Sequence, residues 1–516
     1  MTTIAIPSIA DDATPGKATR REWIGLSVIA LPCLLYSMDL TVLNLAVPHF
    51  SADLKPTAAQ LLWIVDIYGF MVAGALITMG TLGDRIGRRR LLTIGAVCFG
   101  AASIFAAFST TPEMLILTRA LLGLAAATLA PSTLSLIRNM FHDPKERTFA
   151  IGVWIASFSA GGAIGPVVGG VLLTWFWWGS VFLIAVPVMI LLLVLAPRLL
   201  PEFRDENAGS IDLPSAALSV LSVLPVIYGM KRAAESGFGL HAVVPVLVGL
   251  AIGAVFIRRQ RRLADPMIDL DLFRSPGFAA ALGVNVLGFF AAFGIFLLTA
   301  QYLQLVLGLS PLVAGLCSLP SAAAFIAGSL LTPRIAGFIR PSAIMAAGYV
   351  IAAAGFLMLS LADGGLALPM IVGGYFVLSI GLAPVFTLAT DLIIGAAPAE
   401  RAGTAASLAE TSSEFGGALG IAVLGSVVTA IYRFQMQEID VPGLSSETIG
   451  IARDTIGAAL GEAMAVGGIS GDLLATAAQL AYADAFRVAA LVGAVMSLLA
   501  ALAAGAMLRR FAAAME

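Results

Sequence analysis

The stretch GTLGDRIGRRR, residues 80–90, is a short basic segment at the junction of two apolar runs, 61–82 and 91–109. Each run has about the 20 residues that a helix needs to cross the hydrocarbon core of a bilayer. The glycines permit a tight turn and a close approach of neighbouring backbone, and Asp84 can pair with an arginine or with a helix end. Four arginines exceed what so short a loop needs to fix its side of the membrane. The stretch therefore predicts two membrane helices joined by a tight basic turn on the cytoplasmic side.

The composition of the whole chain is that of a membrane protein. Of the 516 residues, 59% are hydrophobic and 12% are charged, and the mean hydropathy is +0.97. The net charge of -2 and the lack of a long basic block give no indication of nucleic-acid binding. The three cysteines lie far apart inside apolar runs, a spacing that fits neither a disulfide framework nor a metal site. We therefore expect no metal or cofactor and no soluble catalytic domain, and an enzyme is not expected.

Polar breaks and Gly/Pro punctuation divide the chain into fourteen candidate membrane helices. If both termini are cytoplasmic, most of the 29 Lys and Arg residues fall on the cytoplasmic side, which supports both the orientation and the number of helices. The predicted spans are 23–47, 61–82, 91–109, 114–138, 148–174, 179–197, 212–230, 239–257, 278–307, 311–331, 342–362, 365–390, 404–431 and 485–507.

Two sequence echoes indicate an internal repeat. Residues 144–147 (PKER) resemble 398–401 (PAER), and residues 80–90 have a degraded counterpart at 328–340. An all-α fold of two six-helix bundles with an inserted central helix pair accounts for both echoes and for the fourteen spans. The predicted divisions are a cytoplasmic tail (1–22), the first bundle (23–197), the inserted pair with its linkers (198–277), the second bundle (278–507), an extracellular helical hairpin within it (432–484) and a cytoplasmic tail (508–516).

Two glycine-containing motifs resemble those of a known transporter family. The segment 80–90 resembles the signature loop of the major facilitator superfamily, and this resemblance implies that a set of its residues latches the two halves in the outward-open state: Gly80, Asp84, Arg85, Gly87 and Arg88. The segment 161–170 (GGAIGPVVGG) resembles the antiporter motif of the same superfamily, which favours export by exchange over uptake. The residues of this second motif are Gly161, Gly165, Pro166, Gly169 and Gly170, whose spacing allows close helix packing, while the proline bends its helix.

Further stretches resemble one branch of that superfamily. Residues 35–48 (LYSMDLTVLNLAVP) resemble the first-helix motif of the fourteen-helix drug:proton antiporters, and 63–68 (WIVDIY) with 410–414 (ETSSE) resembles the QacA/SmvA-like subgroup of quaternary-ammonium and methyl viologen exporters. The resemblance implies a proton-coupled multidrug exporter of lipophilic organic cations that works as a monomer in the bacterial cytoplasmic (inner) membrane. The tenth span, at 320–325, lacks the acidic residue of some dication exporters, and Ala409 replaces another carboxylate, so strong dication transport is not expected.

Four acids lie inside the apolar spans, where an ionised carboxylate costs roughly 2.5–3.5 kcal/mol on translocon scales. Asp39, on the outer side of the middle of the first span, and Glu414, near half-depth in the thirteenth, are predicted to couple proton movement to transport, one in each half. Glu410 shares a helix face with Glu414 and is expected to attract cations. Asp66 lies near the outer end of its helix, which predicts a vestibule charge or an ordinary near-terminal polar residue. Arg119 matches the membrane arginine of the resembled family and is expected to modulate Asp39; a purely structural buried network is the alternative.

Aromatic faces complement carboxylates in the recognition of lipophilic cations. The candidates within spans are Tyr36, Trp63, Tyr68, Trp154 and Phe293, although each of them also fits an ordinary packing role. Two other functions stay open from the sequence: a proton-coupled nutrient uptake carrier, and a non-transporting membrane sensor. The first would lack the antiporter motif, and the second would have no use for several deep carboxylates.

Overall fold

The computed structural model describes residues 17–56, 58–204, 212–236, 239–263, 266–268, 270–398, 401–437, 439, 441 and 444–515. Within these residues every regular element is helical. Fourteen helical segments are long and apolar enough to cross a membrane. The predicted all-α fold with fourteen spans is therefore confirmed.

The helices are numbered along the chain. Helices α6 and α7 together form the sixth span, and the short helices α15 and α16 precede the last span. Their bounds are α1 (Arg20–Leu54), α2 (Ala58–Ile86), α3 (Arg88–Ala107), α4 (Pro112–Met140), α5 (Pro144–Trp175), α6 (Ser180–Leu183), α7 (Ala185–Leu199), α8 (Leu213–Ser236), α9 (Leu240–Gln260), α10 (Pro276–Gln301), α11 (Pro311–Ala336), α12 (Pro341–Ser360), α13 (Ala367–Gly395), α14 (Ala402–Gln437), α15 (Ser446–Ala452), α16 (Ile456–Val466) and α17 (Gly468–Met515). We call the face at which α1 begins and α17 ends the inner face, and the opposite one the outer face.

The helix contacts repeat from one half of the chain to the other. In the first half α1 packs on α5, α2 on α4, and α3 on α4 and α7. In the second half the corresponding contacts are α10 on α14, α11 on α13, and α12 on α13 and α17. The halves meet along two seams, α5 with α11 and α2 with α14. Each seam joins the fifth helix of one half to the second helix of the other, as a two-fold repeat requires.

The inserted pair, α8 and α9, lies against the α2–α14 seam. Helix α8 contacts both of these helices and packs along α9. At the inner end an ion pair with an N···O distance of 2.8 Å joins Asp212, just before α8, to Arg259 of α9. The Arg259 guanidinium, with the Ser215 hydroxyl, lowers the pKa of the Asp212 carboxyl to about 2. The carboxylate therefore stays ionised at physiological pH and keeps the two helices paired at this end.

The segment between the last two spans is helical, but its divisions differ from the predicted hairpin. The apolar pattern at 449–460 predicts one helix, whereas α15 ends at Ala452 and α16 begins at Ile456. Thr455 causes the break because its side chain accepts a hydrogen bond from Ala458 N and caps α16. Gly467 and Gly468 have φ values of 64° and 61° and make the next turn. Helix α17 then runs without a break into the last span, which therefore begins well before the predicted residue 485.

Candidate functional site

Arg119 of α4 and Asp39 of α1 form an ion pair within the first half, with Nη1 and Oδ2 2.5 Å apart. The guanidinium is completely buried. Its Nε donates to the carbonyl oxygen of Ile64 at 3.3 Å, and its central carbon lies 4.5 Å from the centre of the Tyr68 ring. A buried cation needs this combination of ion pair, hydrogen bond and aromatic face to offset its desolvation. The two residues therefore lie together as the sequence suggested, with α2 supplying the remaining contacts.

A tyrosine links this group to the second half. The Tyr36 hydroxyl on α1 donates to Oε1 of Glu414 on α14 at 3.2 Å. The rings of Tyr36 and Tyr68 have centroids 6.0 Å apart. The two half-buried acids, Asp39 and Glu414, are thus connected through Arg119 and two tyrosines, and the connection crosses from one half to the other.

Glu410 lies one turn before Glu414 on the same helix and is also half-buried. This part of α14 is fixed by Asn285 of α10, whose Nδ2 donates to the Ala409 carbonyl and to the hydroxyls of Ser412 and Ser413 at 2.8–3.1 Å. Sequence reasoning missed Asn285; the available signal was a lone amide in the apolar run 278–307. Its contacts fix the rotation of α14 and therefore the direction in which the two glutamates point.

Asp66 lies in a separate group at the outer end of α2. Its carboxylate pairs with the ammonium of Lys231 on α8, which also lies 4.8 Å from the centre of the Phe70 ring. Trp63 packs against Phe70 edge to face, with centroids 6.2 Å apart. The predicted span 212–230 leaves Lys231 in an outer loop. Since α8 continues to Ser236, this lysine is part of a helix and faces the acid.

The remaining candidate aromatic residues differ in their surroundings. Trp154 is buried, and its indole nitrogen donates to the Thr133 hydroxyl at 3.0 Å, so its polar group is already satisfied. Its ring packs on Phe158, which in turn packs on Tyr36. Phe293 approaches from the second half, against Gly417, one turn beyond Glu414. Three of the five candidates, Tyr36, Tyr68 and Trp154, therefore belong to one cluster, while Trp63 lies with Asp66.

At the inner face the basic motif of residues 80–90 joins the two halves. The Asp84 carboxylate accepts hydrogen bonds from the backbone nitrogens of Gly403 and Thr404 at the start of α14, at 3.3 and 3.0 Å. A carboxylate at this position caps the helix and interacts favourably with its dipole. Gly80 lies so close to α14 that a Cβ there would be 2.6 Å from the Gly403 carbonyl oxygen.

The other motif residues support this contact from within the first half. Arg88 is completely buried, pairs with Asp84 and donates to the Gly80 carbonyl at 2.8 Å. Gly87 has φ 108°, a conformation that favours glycine, and separates α2 from α3. Arg85 is half-buried and also makes polar or electrostatic contacts. The motif is therefore a rigid turn that presents Asp84 to α14.

A second contact joins the two halves beside the α5–α11 seam at the inner face, between α5 and α13. Arg147 at the start of α5 pairs with Asp391 near the end of α13, with N and O 2.7 Å apart. The Thr148 hydroxyl donates to the same carboxylate at 2.6 Å. Sequence reasoning identified the repeated PKER segment but not its partner, because Asp391 resembles an ordinary polar residue at a helix end. The inner face thus has two contacts between the halves, each made by a carboxylate at the N-terminus of a fifth helix.

The second glycine motif packs α5 against α1. A Cβ at Gly161 would lie 2.2 Å from the Leu34 carbonyl oxygen, and one at Gly165 would lie 2.1 Å from the Thr41 hydroxyl. Gly169 faces Val42 at 3.0 Å by the same measure, whereas Gly170 has no atom within 4 Å. The side chain of Pro166 lies outside the described residues. Because α1 carries Tyr36 and Asp39, this packing fixes the depth and rotation of both side chains.

The repeated bundles, the polar connection between them and the two inner contacts define a secondary transporter, in which substrate sites lie between the halves. The chain belongs to the Major Facilitator Superfamily, which residues 29–421 match. The multidrug efflux pump LfrA of Mycolicibacterium smegmatis is 42% identical over 502 residues, which cover 97% of this chain and 99% of that protein. The methyl viologen resistance protein SmvA of Salmonella typhimurium is 34% identical over 464 residues, or 90% and 93% of the two chains.

A solved structure shows the same fold. The human organic anion transporter MFSD10 superposes with a TM-score of 0.63 at 14% identity, covering 94% of this chain and 100% of that one. This superposition confirms the fold, while the match of residues 29–421 and the similarity to LfrA and SmvA confirm the predicted family.

We expect Gly161→Ala to destabilise the protein and Gly170→Ala to leave it intact. The new methyl group meets the α1 backbone in the first case and open space in the second. Overpacking costs about 1–3 kcal/mol, whereas alanine in an open helix position is about 1 kcal/mol better than glycine. The measurement is the thermal unfolding midpoint of the two purified variants in detergent. Equal midpoints would show that α1 and α5 do not approach as described.

We expect Asp391→Asn to shift the protein towards conformations that are open at the inner face, because it removes the charge that holds Arg147. Arg147→Gln should do the same, and the double variant should resemble either single variant, since both remove one contact. The measurement is the distance between spin labels on cysteines at Arg90 and Ala396, both exposed at the inner face, in a background without the native cysteines. Asp472→Asn, an exposed carboxylate on α17, is the control. Additive effects of the two single variants would contradict a direct pair.

Proposed function

We propose that this protein is a proton-coupled multidrug exporter that extrudes lipophilic organic cations such as quaternary ammonium antiseptics and cationic dyes. The observation that carries the proposal is the connection between Asp39 and Glu414, which places an acid from each half at the interface between them. LfrA and SmvA align with nearly the whole chain, and their names, a multidrug efflux pump and a methyl viologen resistance protein, support drug export.

The proposed site combines negative charge with aromatic faces. Glu414 and Glu410 attract the cation, and the rings of Tyr36 and Phe158 beside them provide a surface for its apolar parts. The Tyr36 hydroxyl stabilises Glu414 as a carboxylate when no cation is bound. A protonated Glu414 no longer attracts the cation, so proton uptake from the outer side displaces the substrate.

Asp39 has a different role in the proposed cycle. Its carboxylate balances the charge of Arg119, which lies in a completely buried position. When Asp39 takes up a proton, Arg119 keeps only the Ile64 carbonyl and the Tyr68 ring as partners, and the uncompensated charge favours a rearrangement of α1 against α4. Proton binding at Asp39 is in this way coupled to helix movement, which the purely structural alternative does not include.

The proposed transport cycle uses the two inner contacts as latches. While Asp84 caps α14 and Asp391 holds Arg147, the inner face is closed and the substrate site is separated from the cytoplasm. Opening to load substrate breaks both contacts, and rocking of the halves restores them. The orientation that this cycle requires has both termini in the cytoplasm of a bacterium, in agreement with the Lys/Arg distribution, and one chain contains all the proposed parts.

The central test is substrate-induced proton movement. In everted vesicles with an acidified interior, ethidium or benzalkonium should dissipate the proton gradient with the wild type but not with Asp39→Asn or Glu414→Gln. The exposed Glu447→Gln on α15 serves as a control with the same chemical change. Full exchange by both acid variants would refute the coupling roles. Movement of substrate and protons in the same direction by the wild type would favour a nutrient carrier. A wild type that moves neither cations nor protons would favour a sensor.

We expect monocations to be better substrates than dications. The tenth span contributes no carboxylate at 320–325, and Ala409 is a buried apolar residue, so neither position adds a further carboxylate for the second charge of a dication. The same vesicle assay should show a clearly lower maximal rate for methyl viologen than for ethidium. Because SmvA is named for methyl viologen resistance, equal rates for the two compounds would mean that the charge balance lies elsewhere in the site.

A further inference from the structure

The outer end of α2 carries a small site that already holds a cation from the protein itself. Asp66 supplies a carboxylate, and Phe70, one turn further along α2, supplies an aromatic face. The Lys231 ammonium contacts both, at 4.8 Å from the centre of the ring. Trp63 packs on the Phe70 edge and is 45% exposed. A carboxylate beside an aromatic face is also what an organic cation requires.

We propose that Lys231 is a tethered competitor that occupies this outer cation site and exchanges with the transported cation. The inference rests on the proposed export function and adds a specificity-determining residue to it. A cation that leaves the central glutamates on its way out binds Asp66 only by displacing Lys231, and the returning lysine then releases it to the outer side.

A purely structural role accounts less well for the pair. The side chains of Lys231 and Asp66 are 35% and 23% exposed, and ion pairs with such access to solvent contribute only about 0–1 kcal/mol. Helix α8 is attached to its neighbours without this pair: Thr78 and Ser219 share a hydrogen bond of 3.1 Å, and the Ser426 hydroxyl donates to the Ala233 carbonyl at 3.2 Å.

A lysine at position 231 is also suited to leave the Asp66 carboxylate and return to it. A lysine is a compact charge on a flexible four-carbon chain, so it can leave the carboxylate and return to it, whereas an arginine would bind it more rigidly through two donors. A fixed positive charge here repels a dication more than a monocation, because the Coulomb energy scales with the charge of the ligand.

The test is equilibrium binding of tetraphenylphosphonium to the purified full-length protein in detergent. Lys231→Met removes the charge and keeps the chain length, and we expect it to lower the Kd by about three- to fivefold, which corresponds to a competing pair worth about 0.7–1 kcal/mol. Lys231→Arg should not lower the Kd. The neighbouring Arg232→Met is the matched control, because this arginine donates to the Tyr228 hydroxyl at 3.1 Å and lies over the Tyr228 ring.

The gain must depend on Asp66. In the double variant Asp66→Asn/Lys231→Met the increase in affinity should disappear, because no carboxylate remains at the outer site to receive the cation. An unchanged or weaker affinity of Lys231→Met, or a gain that survives Asp66→Asn, would overturn the proposal. If the wild type binds and exports cations in either of these cases, the proposed function stands and only the role of Lys231 is lost; a wild type that neither binds nor exports them refutes both.

A second measurement uses the wild type and needs no folded variant. Lys231 should react faster with an amine-acylating reagent when tetraphenylphosphonium is bound, because displacement from Asp66 frees the ammonium; the extent is measured by peptide mass spectrometry. The exposed Lys145 at the inner face should react equally with and without the ligand. Unchanged or slower labelling of Lys231 would show that the ligand does not displace it.

Discussion

The burial of Arg119 in the membrane is the constraint from which the rest of the site follows. No water is available at that depth to solvate a guanidinium, so the protein must provide every partner. It does so with Asp39 from α1 and with a carbonyl and a ring from α2. One charge thereby fixes three helices relative to one another. Neutralising Asp39 would remove the only carboxylate that contacts this guanidinium among the described residues.

The inner contacts show how a fold can be both well packed and switchable. At or beside each seam a single carboxylate meets the first turn of a fifth helix: Asp84 at α14, and Asp391 at α5. Asp84 is buried, and the side chains of Arg147 and Asp391 are only 14% and 13% exposed, so breaking either contact leaves a charge that needs a new partner. In the proposed cycle the differential binding of substrate and protons must supply that energy. The close backbone approach at Gly80 gives the Asp84 contact its precise geometry.

The sequence predicted well the features that depend on position along the chain, such as spans and motifs. It predicted poorly which partner a given side chain faces. Fourteen spans and the family could be predicted because apolar runs and the 80–90 motif are strong linear signals. The partners of Asp66 and Arg147 could not, because Lys231 and Asp391 lie near helix ends, where a charged residue normally faces water. Asn285 is a single polar residue in an apolar run, a pattern that does not identify its partners. The break at Thr455 depended on a local cap that competed with a continuous apolar pattern.

The placement of the inserted pair gives the two seams different surroundings. Helix α8 covers the α2–α14 seam, and its bonds to α2 are polar and directional, through Asp66 and Thr78. Beyond α9, the Met267 carbonyl accepts a further hydrogen bond from Thr81 of α2 at 3.2 Å. Towards α14, α8 accepts one hydrogen bond, from the Ser426 hydroxyl to the Ala233 carbonyl, and packs on apolar residues such as Ala418 and Ala422. Sliding along such a surface breaks fewer directional bonds than separation from α2, so the pair is attached chiefly to the first half and keeps Lys231 beside Asp66 as the second half moves.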